Sequence, residues 1–264
     1  MSVLEAIILG LIQGIAEFLP ISSSGHLALA QHLFGIKEAS LSFNVLLHVG
    51  TLVPVCIIYW KELWKLIKKP FQKTTYLLII GTIPAVISAL LLGDVIESLF
   101  SSLLFLAAGF AITGGLLLFV DTVRPGTKED RDMTYVDALV IGCAQGVAIA
   151  PAISRSGSTI SASLLRGLNR ETAARFSFLL SIPAILGAAV LQVKDVITGG
   201  EIMAGISPAA MIAGFLVAMI SGYLAIQFML ALIQKAKLKV FSVYLFLLSA
   251  FILVDQLVLG GMFL

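Results

Sequence analysis

The chain has 264 residues, of which 59% are hydrophobic and only 12% charged, and its mean hydropathy is +1.06. A water-facing globule carries roughly a quarter of its residues charged, so a soluble domain is excluded. A net charge of +2, with the basic residues lying between apolar runs, excludes an electrostatic nucleic-acid partner. What is left is an all-α polytopic membrane protein. The opening MSVLEAIILG has Glu5 and no Lys or Arg, so it reads as mature structure rather than as a cleavable signal. Cys56 and Cys143 sit inside apolar runs and suggest neither a disulfide framework nor a zinc site.

In chain order, the first apolar region, 3–36, is interrupted by FLPISSSGH. A membrane span needs about 20 apolar residues, and clean runs of that kind follow at 43–60, 74–92 and 103–120. A second interrupted region, 135–165, is broken by APAISRSGS, and further clean runs lie at 176–193, 207–232 and 240–260. Backbone that leaves the helix at membrane depth is tolerated only against protein or a wet cavity, so both broken regions are predicted to be re-entrant hairpins. The connecting segments set the orientation through their Lys/Arg bias. Loops 61–73 (Lys61, Lys65, Lys68, Lys69, Lys73), 121–134 (Arg124, Lys128, Arg131), 166–175 (Arg166, Arg170, Arg175) and 233–239 (Lys235, Lys237, Lys239) are assigned inside. Loops 37–42 and 94–102, the latter with Asp94 and Glu97, are assigned outside, as are both termini. The hairpins then enter from opposite faces.

A shift of 132 residues lays GLIQGIAEFLPISSSG (10–25) on GCAQGVAIAPAISRSG (142–157) without a gap. Eight of sixteen positions are identical, including Gly10/Gly142, Gln13/Gln145, Gly14/Gly146, Ser22/Ser154, Ser24/Ser156 and Gly25/Gly157. With one more residue inserted, FNVLL at Phe43 falls on FSFLL at Phe176. The prediction is a single integral-membrane domain, 1–264, of two inverted-topology repeats at about 1–120 and 133–264. It has six transmembrane helices, and its hairpin tips meet near the bilayer midplane.

The repeats differ where chemistry is expected: Glu17 faces Ile149, Ser23 faces Arg155 and His26 faces Ser158. Ionisable groups at that depth are costly and mark a functional site. Gln13 and Glu17, spaced i, i+4, share one face of the entering half-helix before Pro20 ends it. His26 follows Ser23 by three residues, which on a second half-helix brings imidazole and hydroxyl within reach as base and nucleophile. Ser22, Ser23 and Ser24 also suit N-capping, and such a helix start with Gly25 is an anion site. Arg155 can fork onto phosphate oxygens, with Ser154, Ser156 and Thr159 adding donors; its other reading is a buried partner for Glu17. His48 reads as hydrogen-bonded packing, Phe176 and Phe178 as span packing, and Asp137 and Asp255 receive no role. A divalent cation, Mg2+ or Ca2+, could bridge Glu17 and a phosphate, a question the residues leave open.

With QGIAEFLPISSSGH at 13–26 and PAISRSGST at 151–159, the whole chain resembles the undecaprenyl-diphosphatase family associated with bacitracin resistance. Gln13, Glu17, Ser22, Ser23, Gly25 and His26 match its first motif; Pro151, Ser154, Arg155, Ser156, Gly157 and Thr159 match its second. Ala152 stands where the family usually has Gly, and Gln13 leaves one carboxylate in the first motif. The resemblance implies hydrolysis of the terminal phosphate of a C55 polyprenyl diphosphate, recycling the lipid carrier for cell-wall synthesis and conferring bacitracin resistance, at a plasma-membrane site opening outward. Catalytic roles are expected for Glu17, Ser23, His26 and Arg155. Substrate contacts are expected from Gln13, Ser22, Ser24, Gly25, Ser154, Ser156, Gly157 and Thr159. The preferred scheme has Ser23 attack, His26 take its proton and Glu17 orient the imidazole; a His26 nucleophile and water activated by Glu17 are variants. The expected partners are the lipid substrate and bilayer lipids, and a homodimer is compatible with this architecture. The rival from another class is a polyprenyl-phosphate transporter or flippase, since inverted repeats with broken helices are transporter architecture. A phosphatidate-phosphatase-type enzyme would need a further His after the Ser-Arg element, which ISRSGSTISASLLRG lacks.

Overall fold

The computed structural model describes residues 1–36, 41–124, 126–197, 206–235 and 237–264, so most of the 37–42 loop lies outside the described residues. Eleven α-helices are described: α1 (Val3–Phe18), α2 (Ser23–Leu33), α3 (Leu41–Ile58), α4 (Trp60–Lys68), α5 (Lys73–Leu99), α6 (Leu103–Val120), α7 (Tyr135–Val147), α8 (Arg155–Leu165), α9 (Arg170–Ile197), α10 (Pro208–Lys235) and α11 (Lys239–Leu257). Five of them (α5, α6, α9, α10 and α11) are long and apolar enough to cross a membrane, and α3 joins them when counted with α4. The chain is thus a multi-pass helical membrane protein. Both interrupted regions are broken helix pairs, α1–α2 and α7–α8, and each pair packs on itself. At 1.5 Å per residue α1 is about 24 Å long and α7 about 20 Å, short of a hydrocarbon core of roughly 30 Å.

Each pair opens on a capping box, Ser2 with Glu5 and Thr134 with Asp137. These lie 132 residues apart, the same offset as Gly10 and Gly142. Its shared glycines are packing devices. α1 lies along α10 and α7 along α5. A β-carbon at Gly10 would lie 2.5 Å from the Gly214 carbonyl oxygen, and one at Gly142 would lie 2.5 Å from that of Gly81. One at Gly14 would run into Ser221, and one at Gly146 would come within 2.8 Å of Ser88 Oγ. Small residues four apart let helix backbones meet closely, which in a membrane substitutes for hydrophobic driving force. Each hairpin is therefore gripped by a long helix from the other half of the chain.

Two connections differ from expectation. The segment expected as a 61–73 loop holds α4, bent 82° from α3. In WKELWKLIK, Trp60, Leu63, Trp64 and Ile67 fall at i, i+3, i+4 and i+7, an apolar stripe hidden by the density of lysines. Trp60, Trp64 and Ile67 are exposed and Lys68 lies over the Trp64 ring, the pattern of a helix lying in the membrane interface. The 94–102 segment is mostly the last turns of α5, which runs on to Leu99.

Asp137 and Asp255, left without roles, are structural anchors. Asp255 accepts the Phe263 and Leu264 amides and holds the C-terminal tail. Asp137 is fully buried; it accepts Arg166 Nε at 2.7 Å, Lys128 Nζ at 3.2 Å, and both the Thr134 amide and hydroxyl at 2.9 Å. It thereby ties both ends of the second hairpin to the 126–134 segment. Hydrogen bonds to a charged group contribute about 1.5–3 kcal/mol each when buried, but Lys128 and Arg166 are about one-third exposed and can rehydrate. Asp137→Asn is expected to destabilise the protein by about 2 kcal/mol, read as a lower thermal midpoint in detergent; an unchanged midpoint contradicts the anchor.

Candidate active site

The two hairpin tips touch. Ser156 Oγ donates to the Leu19 carbonyl at 3.0 Å, which satisfies backbone freed where Pro20 ends α1. On the other tip, Thr113 of α6 donates to the Ala152 carbonyl at 3.2 Å and accepts the Ser154 amide at 3.1 Å. The broken backbone is thus satisfied inside protein, as membrane depth requires. Ala152 is in the left-handed region at φ 58°, buried against Gly25 and Gly109. Among the described residues, the other left-handed non-glycine is Ser22, at φ 70°, the N-cap of α2. Such conformations cost on the order of 1–3 kcal/mol and persist where their surroundings enforce them.

Between the tips lies a cleft of about 750 Å3, walled by α2, α3 and α9. Glu17, 5% exposed at the last turn of α1, is its hub. Its Oε1 accepts Arg155 Nη2 at 2.6 Å. Its Oε2 accepts the Ser23 hydroxyl at 2.6 Å and Gln13 Nε2 at 2.9 Å, and His48 Nε2 stands 3.5 Å from the same atom. The Ser23 bond has the length of a charge-assisted O–H···O⁻ contact. A second guanidinium nitrogen of Arg155 reaches the Ser177 carbonyl at 3.4 Å.

Ser23 opens α2 and Arg155 opens α8, and both line the cleft. Their first-turn amides have no intrahelical acceptor, so two helix N-termini converge beside the carboxylate, hydroxyl and guanidinium. The shared Ser-x-Ser-Gly element builds both starts alike. Ser22 Oγ accepts the Gly25 amide and pairs with Ser24 Oγ, while Ser154 Oγ accepts the Gly157 amide and pairs with Ser156 Oγ. Chemically, the cleft can accept a proton from one hydroxyl and surround an anion with donors.

Glu17, Ser22, Ser23, Ser24, Ser154, Arg155 and Ser156 all line the cleft, whereas His26, Gln13, Gly25, Gly157 and Thr159 do not. The contact predicted between His26 and Ser23 is not made. His26 Nδ1 donates to the Ser22 carbonyl at 2.8 Å, its Nε2 accepts Tyr244 Oη at 2.6 Å, and the ring stacks on Tyr244 and meets Phe110 edge-on. The ring reaches back over the first turn of α2, away from the hydroxyl drawn to Glu17. Thr159 is buried and bonded to the Arg155 carbonyl and Ser177 Oγ, and the Gly25 and Gly157 amides are used by the caps. Gln13 touches Glu17 and does not line the cleft.

Sequence reasoning missed His48, Asn44 and Ser177. His48 makes the hydrogen bond expected of it, its Nδ1 donating to the Asn44 carbonyl at 2.7 Å, but it also lines the cleft. A signal existed: FNVLL on FSFLL pairs Asn44 with Ser177, and both stand beside this site.

The model of the family described as bacitracin resistance protein BacA matches residues 6–251. The undecaprenyl-diphosphatase of Carboxydothermus hydrogenoformans is 50% identical over 256 residues, covering 97% of this chain and 98% of that one. Undecaprenyl-diphosphatase 3 of Bacillus cereus is 49% identical with the same coverage. The undecaprenyl-diphosphatase of Methanosphaera stadtmanae is 40% identical, covering 98% of this chain and all of its own. A match over nearly the whole length, spanning both hairpins and the helices that grip them, places the chain in the bacitracin resistance protein BacA family.

Proposed function

We propose that the chain is an integral-membrane phosphatase that hydrolyses undecaprenyl diphosphate to undecaprenyl phosphate and inorganic phosphate, which recycles the lipid carrier and underlies bacitracin resistance. The observation that carries this reading is the chain of contacts Ser23–Glu17–Arg155, with two helix starts around it. An isoprenoid substrate accounts for a site in the membrane, and apolar cleft residues such as Leu27, Ile149, Ile153 and Ile185 suit its first isoprene units.

In the mechanism this supports, the incoming diphosphate competes with Glu17 for the Arg155 guanidinium, whose fork suits phosphate oxygens. Glu17 is then free to accept the Ser23 proton as Ser23 Oγ attacks the terminal phosphorus. The bond from phosphorus to the bridging oxygen breaks, and the polyprenyl monophosphate departs with that oxygen. Arg155, Ser24, Ser154, Ser156 and first-turn amides hold the oxygens of the transferred group. Water then cleaves the phosphoserine. In this scheme Glu17 takes the base role first expected of His26, and His26 braces the left-handed Ser22 that starts α2. Glu17 carries the Ser23 proton in this scheme, so a divalent ion would come on the phosphates of the substrate and not be held by that carboxylate.

The cleft reaches Gln31, His32, Ile36, Phe100 and Ser101, at the ends of α2 and α5 that the Lys/Arg bias assigns outside. This supports a plasma-membrane site opening outward.

The test is phosphate release from undecaprenyl diphosphate by detergent-purified protein, with and without chelator, beside Ser23→Ala. Loss of a covalent nucleophile is expected to lower turnover by at least about 10³-fold with substrate binding retained. Near-normal turnover in Ser23→Ala would remove the serine step and leave water activated by Glu17. No release by folded wild type would return the reading to a lipid transporter.

A further inference from the structure

The mechanism above leaves one proton without a place. In the first half-reaction the leaving group is a phosphate oxyanion that needs no proton, so Glu17 retains the one taken from Ser23. In the second, Ser23 Oγ must leave with a proton while the attacking water must lose one. Glu17, 2.6 Å from Ser23 Oγ, is placed to return its proton to that oxygen. It cannot at the same moment accept the proton of the water. Gln13, the other polar group on this face of α1, is an amide that donates to Glu17 and titrates nothing.

His48 of α3 stands where the missing acceptor is needed. It lines the cleft, and its Nε2 is 3.5 Å from Glu17 Oε2, the oxygen that also holds Ser23. Its Nδ1 lies 2.7 Å from the Asn44 carbonyl, which can only accept, so Nδ1 carries the hydrogen. In the neutral ring the lone pair is then on Nε2, facing the reacting groups. Asn44 is itself fixed, with its side-chain oxygen accepting Gln31 Nε2 at 2.7 Å. Orientation of one imidazole nitrogen by a hydrogen bond on the other is how a histidine base is prepared.

Resting on the phosphoserine reading, we propose that His48 is a further catalytic residue, the general base that deprotonates the water that hydrolyses phosphorylated Ser23. The water oxygen bonds to phosphorus as the bond from phosphorus to Ser23 Oγ breaks. One water proton passes to His48 Nε2, the Glu17 proton passes to Ser23 Oγ, and inorganic phosphate leaves as its hydroxyl-bearing form. His48 then releases its proton towards the mouth of the cleft, and both groups return to their starting states.

The experiment mixes full-length protein in detergent with undecaprenyl diphosphate and follows undecaprenyl phosphate and inorganic phosphate separately. In wild type the two appear together. In His48→Gln, about one equivalent of undecaprenyl phosphate per protein is expected in a fast burst, followed by phosphate release slowed by about 10²-fold or more. Mass spectrometry should find the phosphate on Ser23. Imidazole added to His48→Ala should restore phosphate release, which repair of a merely packing role would not do. The proposal is overturned by wild-type rates in both phases, or by a burst lost together with turnover and no rescue by imidazole. Ser23→Ala run in parallel separates the two ideas. If it is inactive while His48→Gln is normal, only the role of His48 falls, whereas an active Ser23→Ala removes the phosphoserine and this step with it.

Discussion

Glu17→Gln should lower turnover by roughly 10³-fold while leaving substrate binding as good as wild type or better. The side chain keeps its shape, so α1 and the tip contacts need not move, but an amide cannot take the Ser23 proton. General-base catalysis contributes about 10²–10⁴-fold, so kcat should fall by roughly 10³-fold. KM should hold or drop, because Arg155 is no longer bound to the carboxylate at 2.6 Å and stands free for phosphate. The split separates two roles for the same residue. Were Glu17 only the counter-ion of Arg155, its removal would strengthen binding and leave kcat largely intact. Steady-state kinetics with undecaprenyl diphosphate checks this, and a retained kcat would make Ser23 activation by Glu17 untenable.

Much of the architecture was legible because a membrane leaves few choices. Helices must satisfy their own backbone, so apolar length and charge clusters located the spans within a few residues, and Pro20 and Pro151 marked the two breaks. Less legible was what amphipathicity and close packing add. The stripe of α4 is four apolar residues among lysines, a pattern that a search for 20-residue runs passes over. Gly10, Gly14, Gly142 and Gly146 helped to align the repeat, but what they touch is set by α10 and α5, which lie about 200 and 60 residues away in the chain. The 132-residue offset extends to the two capping boxes, Ser2 with Glu5 and Thr134 with Asp137, a match between short polar pairs that identity alone does not reveal.

At the site, residue types were legible and partnerships were not. Helical spacing alone puts Ser23 and His26 on one face, yet a short hydroxyl and a long imidazole need not meet. Ser23 turns to Glu17, six residues earlier across the break, while His26 reaches back to the Ser22 carbonyl and out to Tyr244 on α11. Contacts across 218 residues have no signature in local periodicity. The same limit hid His48, a lone polar residue in an apolar span whose neighbour Glu17 belongs to a different helix.

Arg155→Lys is expected to lower kcat/KM by about 10²–10³-fold, close to the roughly 2.7–4 kcal/mol lost when one preorganised donor to a developing charge is removed. The substitution keeps the positive charge, so a loss of this size reports geometry. Arg155 spans two acceptors, Glu17 and the Ser177 carbonyl, with a planar fork only 17% exposed, and a lysine ammonium is a single point on a flexible stem. It can keep one contact with Glu17, but it cannot exchange that contact for a two-oxygen grip on phosphate. Nor should the loss add to that of Glu17→Gln, because residues acting as one unit are strongly non-additive. The double variant Glu17→Gln/Arg155→Lys should therefore be scarcely slower than Glu17→Gln alone. Fully additive losses would mean that the ion pair across the two tips is scaffold and that Arg155 meets the substrate independently of Glu17.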